Sequence, residues 1–152
     1  PPPHSEAVQQ RELLYQNENP VRVITSGFEV ASERIFAAGG KWRFTKREPW
    51  WRSYAGDAHV VIGHYWRGVS KSESSPGRYA PPNLFEGETG VGPLLSAGGE
   101  RRVWCVDFSV GRRFLERRGL GSKPQFKGRL AALRWPEREI LFDNGDRHER
   151  LG

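Results

Sequence analysis

The 152-residue sequence contains no methionine and a single cysteine, Cys105. One cysteine excludes an intramolecular disulfide and any cysteine-based zinc cluster, and a reducing, cytoplasmic setting is expected. No apolar run approaches the 18 residues of a membrane span, so no membrane partner is expected. The N-terminus, Pro-Pro-Pro-His-Ser-Glu, lacks the basic and apolar regions of a signal peptide. With no methionine and proline first, the chain is expected to be a processed, trimmed or partial product. Histidine is scarce at four residues, and no internal repeat is present.

Aromatics, by contrast, are plentiful. Hydrophobic residues make up 36% of the chain, aromatics 12%, and there are six Trp and eight Phe. That content supports a packed core and argues against disorder. Lys and Arg number 24 against 18 Asp and Glu, a net charge of +6. A basic surface attracts phosphate groups, nucleic acid or acidic membranes. The excess is dispersed in short clusters such as Arg101-Arg102, Arg112-Arg113 and Arg117-Arg118. None is long enough to name a partner.

Residues 1–20 read as a peripheral segment with a short helix over Glu6 to Gln16, broken at Asn19-Pro20. Val21 to Thr25 is β-branched and alternating, which predicts a strand. Glu29 to Phe36 reads as a helical turn. Gly39-Gly40 is a turn leading into a strand over Lys41 to Thr45. Pro49 opens a short helix. His59 to Ile62 and Val103 to Phe108 are apolar runs expected to be central, buried strands. Residues 70–102, rich in Ser, Pro and Gly, read as a long loop or insertion. Gly111 to Lys127 is basic loop with a short helix. Leu130 to Trp135 and Glu139 to Phe142 flank Pro136-Glu137-Arg138 as a closing hairpin. The expected class is α+β, β-rich.

The sharpest local feature is Val60-Val61-Ile62-Gly63-His64-Tyr65-Trp66-Arg67. An apolar strand ends, a glycine permits a tight turn and close approach, and a histidine is presented at the strand's mouth. A ring nitrogen there can meet a metal, although a lone histidine is more often a satisfied structural residue.

This stretch resembles the last metal-ligand motif of the calcineurin-like metallophosphoesterases, in which a strand runs into Gly-His. Val103-Trp104-Cys105-Val106-Asp107-Phe108-Ser109-Val110-Gly111 is similar to the strand and turn that follow. Lys127-Gly128-Arg129-Leu130-Ala131-Ala132-Leu133-Arg134 is similar to the closing Gly-x-Leu-x-Ala-Leu strand. The order fits the branch of bacterial diadenosine-tetraphosphate hydrolases and phosphoprotein phosphatases, in which Gly-His is not followed by a second ligand histidine. Tyr65-Trp66 agrees with that form. The matches cover roughly Val21 to Phe142.

The resemblance implies that residues 21–147 are the C-terminal half of a metallophosphoesterase domain, part of a two-sheet αββα sandwich. It implies hydrolysis of a phosphate ester or anhydride at a pair of divalent metal ions, manganese or iron and zinc. The substrate would be a phosphorylated small molecule, a dinucleoside polyphosphate or a phosphoprotein. His64 would be a metal ligand.

The family's Gly-Asp-x-x-Asp and Gly-Asn-His-Asp/Glu motifs are absent from the sequence. Asp-x-His occurs at Asp57-Ala58-His59 and Asp146-Arg147-His148, both misplaced, and His4 matches nothing. No catalytic acid can be carried over, and the chain alone is expected to be inactive. Half of a two-sheet fold should also expose apolar surface.

Other residues carry two readings each. Asp107 either orients His64 or its loop, or caps the following turn. Arg67 either meets a substrate phosphate or is a solvated side chain; Arg112 and Arg113 are weaker versions of the same. Trp50, Trp51, Tyr65 and Trp66 could stack on a base but are more often packing residues. Cys105, in an apolar strand, is expected to be an inert buried thiol. A basic, aromatic-rich nucleic-acid-binding module is the alternative function, favoured by Lys41-Trp42-Arg43-Phe44. No recognised nucleic-acid fold motif accompanies it. A β-rich interaction domain is the third.

Overall fold

The computed structural model describes residues 1–69, 78–88, 90–119 and 126–148. Ser5 starts the first helix, α1 (Glu6–Asn17), by accepting a hydrogen bond from the Val8 amide on its side chain, with Glu6 in the first turn. The next segment departs from the expected strand. Pro20–Ser26 is a second helix, α2. Asn19 Oδ1 accepts from the Val21 and Arg22 amides at 3.0 and 3.3 Å, and Pro20 sits in the first turn. A cap and a proline that needs no donor outweigh the β preference of Val21, Val23, Ile24 and Thr25. Gly27, at φ 89°, ends the helix.

Glu29–Ala38 is likewise not a helical turn but strand β1, paired antiparallel with β2 (Lys41–Arg47). Gly39 and Gly40, at φ 59° and 73°, form the two-residue loop between Ala38 and Lys41. Positive φ at both positions matches the twist of the flanking strands, which L side chains rarely allow. Helix α1 is tied to this hairpin largely by amide side chains. Gln9 donates to the Ser32 and Phe44 carbonyls at 3.0 and 2.7 Å, and Asn17 both donates to and accepts from the Glu29 backbone. Phe36 and Phe44 are the buried apolar residues of the hairpin. Trp42 stands edge-on to Tyr79 at 5.3 Å.

The described residues fall into two compact units, 1–50 with 74–86 and 51–73 with 87–152. A 3-10 turn covers Trp50–Ser53, and in the second unit β3 (Val60–Ile62) pairs in parallel with β4 (Val103–Cys105). A parallel pair requires a long crossover, and here residues 63–102 lie between the two strands in sequence. Of the expected loop, residues 70–77 and 89 lie outside the described residues; the rest is irregular apart from a β-bridge of Leu94 to Val103 and a 3-10 turn at Ala97–Gly99. After β4 the chain enters β5 (Asp107–Phe108), a 3-10 turn and helix α3 (Arg113–Gly119). Strands β6 (Arg129–Arg134), β7 (Glu139–Phe142) and β8 (Arg147–His148) complete a four-stranded sheet in the order β5-β6-β7-β8. The closing hairpin is β6–β7, as expected.

The core of this unit joins Val91, Trp104, Phe108, Ile140 and Phe142, with Val69, Val106, Ala131 and Leu133 packed against it. Phe108 meets Phe142 edge-on at 4.9 Å. Each such aromatic contributes about 2–3 kcal/mol by leaving water. Strand β4 is buried throughout, as expected. Strand β3 is not: Val61 is 53% exposed, and β4 is its strand partner among the described residues. Successive side chains point to opposite faces, so a run apolar at every position need not be covered on both. The chain is α+β. Among the described residues no helix is long and apolar enough to cross a membrane.

Candidate functional site

The turn that leaves β3 alternates in and out. Tyr65 is buried, edge-on to Trp51 at 5.6 Å, and Arg67 is 2% exposed. His64 and Trp66 point outward, with ring centroids 5.7 Å apart and the planes at 70°. His64 has φ 65° and Trp66 φ 53°. Left-handed backbone costs a non-glycine residue about 1–3 kcal/mol and is an outlier for a bulky aromatic. Gly63, expected to make the tight turn, does not have a positive φ, and a Cβ there would meet nothing within 4 Å. The conformational demand falls on His64 and Trp66 instead, and the space beside Gly63 is open.

Three groups of bonds hold this backbone. Asp107 Oδ2 accepts from the Trp66 amide at 3.2 Å, and the Asp107 carbonyl accepts from the Arg67 amide at 2.9 Å. Asp107 Oδ1 accepts from the Ser109 amide at 2.9 Å, and the Ser109 hydroxyl reaches the Arg67 carbonyl at 3.4 Å. One carboxylate oxygen of Asp107 thus meets the turn after β3 and the other the turn after β5. Arg67 supplies the third group. Its guanidinium donates to the carbonyls of Gly90, Val91 and Gly92 at 2.7, 3.3 and 2.7 Å and lies over Phe108. This corrects the solvated reading of Arg67. The phosphate reading meets a buried head group aimed at backbone carbonyls. Burial draws its pKa down from the usual arginine value, opposed by Cys105 and Glu88 nearby.

Sequence reasoning did not find this buried framework. Trp51 donates its indole N–H to Glu88 Oε1 at 3.3 Å, and Glu88 Oε2 accepts from the Leu95 amide at 3.1 Å. Trp51, fully buried, is a packing residue rather than a stacking platform. Cys105 is buried behind the turn. Desolvation pushes its thiol up to about 11, and Sγ points at the Asp107 carbonyl at 3.8 Å. A neutral thiol is a poor nucleophile, in line with the inert reading.

Arg112 and Arg113 serve the packing of α3. Arg112 pairs with Glu116 at 3.0 Å. Arg113 grips Asp143 with both terminal nitrogens and donates Nε to the Gly128 carbonyl at 2.7 Å. This fork raises the Arg113 pKa and holds the Asp143 carboxyl below the usual carboxylate range. His59 lies edge-on to Trp135 at 5.0 Å, and His4 is tilted against Phe44 at 6.2 Å.

Among the described residues, no three His, Cys, Asp or Glu side chains converge. His64 by itself offers one bond where a catalytic ion draws on about three protein ligands. These residues alone do not make up a metal site, and no chemical step is assigned to them. No family model, curated protein or solved structure matches the chain.

Proposed function

We propose that this chain carries the Gly-His ligand turn of a calcineurin-like metal-dependent phosphoesterase and forms the C-terminal part of its two-sheet sandwich. The observation that carries the reading is the turn after β3. A histidine is held outward, in left-handed backbone, at the carboxyl end of a strand paired in parallel with its neighbour. Ligands of open α/β sheets gather at that end. Serial order adds support: Asp107 opens β5, two residues after β4 ends, and Gly128 leads the closing hairpin.

In this reading His64 is one ligand of a two-ion centre. The remaining ligands come from Asp-x-His, Gly-Asp-x-x-Asp and Gly-Asn-His motifs that the sequence does not supply in usable form. His64 would be this chain's ligand to such a pair, which would supply Lewis-acid polarisation of a phosphoryl oxygen and a more acidic bound water. The substrate class is a phosphate ester or anhydride, carried by a small molecule, a dinucleoside polyphosphate or a phosphoprotein. Asp107, Arg67 and Tyr65 build the support under His64 rather than touching substrate.

The test joins the chain to an upstream segment that contains the three motifs. With manganese and an aryl phosphate, the chain alone should be inactive, and the joined protein should hydrolyse the ester. His64→Ala should then remove most of the activity and reduce bound metal. Near-full rate and full metal content in that variant would overturn the assignment.

A further inference from the structure

We propose that Asp107 is a positioning residue for His64: its carboxylate holds the left-handed backbone that turns the imidazole outward against Trp66. The importance of this for catalysis rests on the reading of His64 as a metal ligand; the positioning itself does not. Position 66 is the point of leverage. An aromatic residue does not choose φ 53° unaided. Its amide is bonded across 41 residues of sequence to Asp107 Oδ2. The neighbouring amide, that of Arg67, is bonded to the Asp107 carbonyl, so two successive N–H groups of the turn are fixed by one residue. The second carboxylate oxygen is committed to the Ser109 amide, and Ser109 is itself left-handed at φ 60°. Asp107 therefore clamps two strained backbone positions with its two oxygens. A carboxylate accepting from backbone N–H groups makes a charge-assisted bond, stronger than a neutral pair.

The outward rings are the consequence. His64 and Trp66 flank Tyr65, which is buried on Trp51. Tyr65 is inserted and the Trp66 amide is tied down, so the backbone under the pair is fixed while both rings stay exposed. Pre-orientation of this kind is what outer hydrogen-bond partners provide for metal-ligating histidines.

The experiment uses the full chain without metal. In the wild type, NMR should show a nuclear Overhauser contact between the His64 and Trp66 rings. The Trp66 and Ser109 amides should exchange slowly with solvent. Asp107→Ala should abolish the ring contact and release both amides; Asp107→Asn, which keeps one acceptor oxygen, should lose one protected amide and weaken the contact. Asp143→Asn, which disturbs the Arg113 fork elsewhere, should leave the ring contact intact. If Asp107→Ala does not fold, the wild-type amides decide: rapid exchange at Trp66 overturns the proposal. A folded Asp107→Ala with an unchanged ring contact overturns it as well. In the joined protein, Asp107→Asn should slow hydrolysis about 10–100-fold. If Asp107 controls the ring contact while His64→Ala keeps its rate, the positioning stands and the metal-ligand reading falls.

Discussion

Replacing Arg67 by methionine keeps most of the side chain's apolar stem and removes every donor. In the wild type the guanidinium makes three bonds to the carbonyls of Gly90, Val91 and Gly92, each between 2.7 and 3.3 Å. Hydrogen bonds to a charged group contribute about 1.5–3 kcal/mol each. Against their sum stands the cost of burying a guanidinium, several kcal/mol even after relaxation. The Val91 carbonyl belongs to a buried residue, whereas Gly90 is exposed and Gly92 half-buried, so water can replace part of what is lost. A net destabilisation of about 3 kcal/mol is expected, a large share of the roughly 5–15 kcal/mol that holds a domain together. With a urea slope of about 2 kcal/mol per molar, the midpoint should fall by about 1.5 M. Tryptophan fluorescence reads the transition, since Trp51 and Trp104 are both buried in this unit. Arg67→Lys should recover only part of the loss, because an ammonium lacks the planar fork that spans successive carbonyls. A methionine variant within about 0.5 kcal/mol of wild type, the range of ordinary surface substitutions, would refute the account. Arg67 would then be a passenger in the core rather than its clamp.

Cys105 should give the fold a measurable alkaline sensitivity. Its thiol is at 9.0 when free and about 11 when buried, so the folded state keeps a proton that the unfolded state releases. That contribution is complete below about pH 9 and is lost as pH rises towards 11, at about 1.4 kcal/mol for each pH step of one. Between pH 7.5 and 10.5 the wild type should lose about 2 kcal/mol more than Cys105→Ala does, measured by urea unfolding; equal losses would remove the thiol from the account. Gly128→Ala should cost about 1–3 kcal/mol in thermal or urea unfolding, because an added Cβ would sit 2.4 Å from the Ser109 carbonyl oxygen. An unaffected midpoint would mean that these two backbones do not approach each other as described.

The parts of the fold that could be read in advance are those fixed by local chemistry. The segment Glu6 to Gln16 was legible as α1, Gly39-Gly40 as a turn into β2, and the apolar runs at Leu130 and Glu139 as β6 and β7. Expectation and structure part where one local signal overrides another. Around Val21, four β-branched residues point to a strand, yet Asn19 and Pro20 fix a helix start before them. For β1, Glu29-Val30-Ala31-Ser32-Glu33-Arg34 carries mixed polarity, and its strand state is imposed by pairing with β2 across the glycine loop. At the candidate site, the histidine and the aspartate were legible as types at the ends of strands. The burial of Arg67 was not, since its acceptors lie 23 to 25 residues away on a segment with no periodicity.

The placement of strain is what favours the proposed reading of His64. A turn that served only to reverse the chain would put its left-handed positions on glycine or asparagine, where they are cheap. This turn has a glycine available at position 63 and does not use it in that way. It places the unfavourable conformation on His64 and Trp66, and supports them with Asp107 below and with Tyr65 and Arg67 buried on either side of Trp66. The second unit carries two further left-handed non-glycine residues, Ser109 and Arg138, but His64 and Trp66 put two within three residues at the carboxyl end of a strand. Such positions concentrate where a protein binds or reacts. The strained residue nearest the strand's mouth is the imidazole, the one side chain of the turn able to bond a metal in its neutral form. Strain at a structural turn would persist with any side chain at 64, whereas strain kept for presentation makes that position the one where chemistry, not stability, should change.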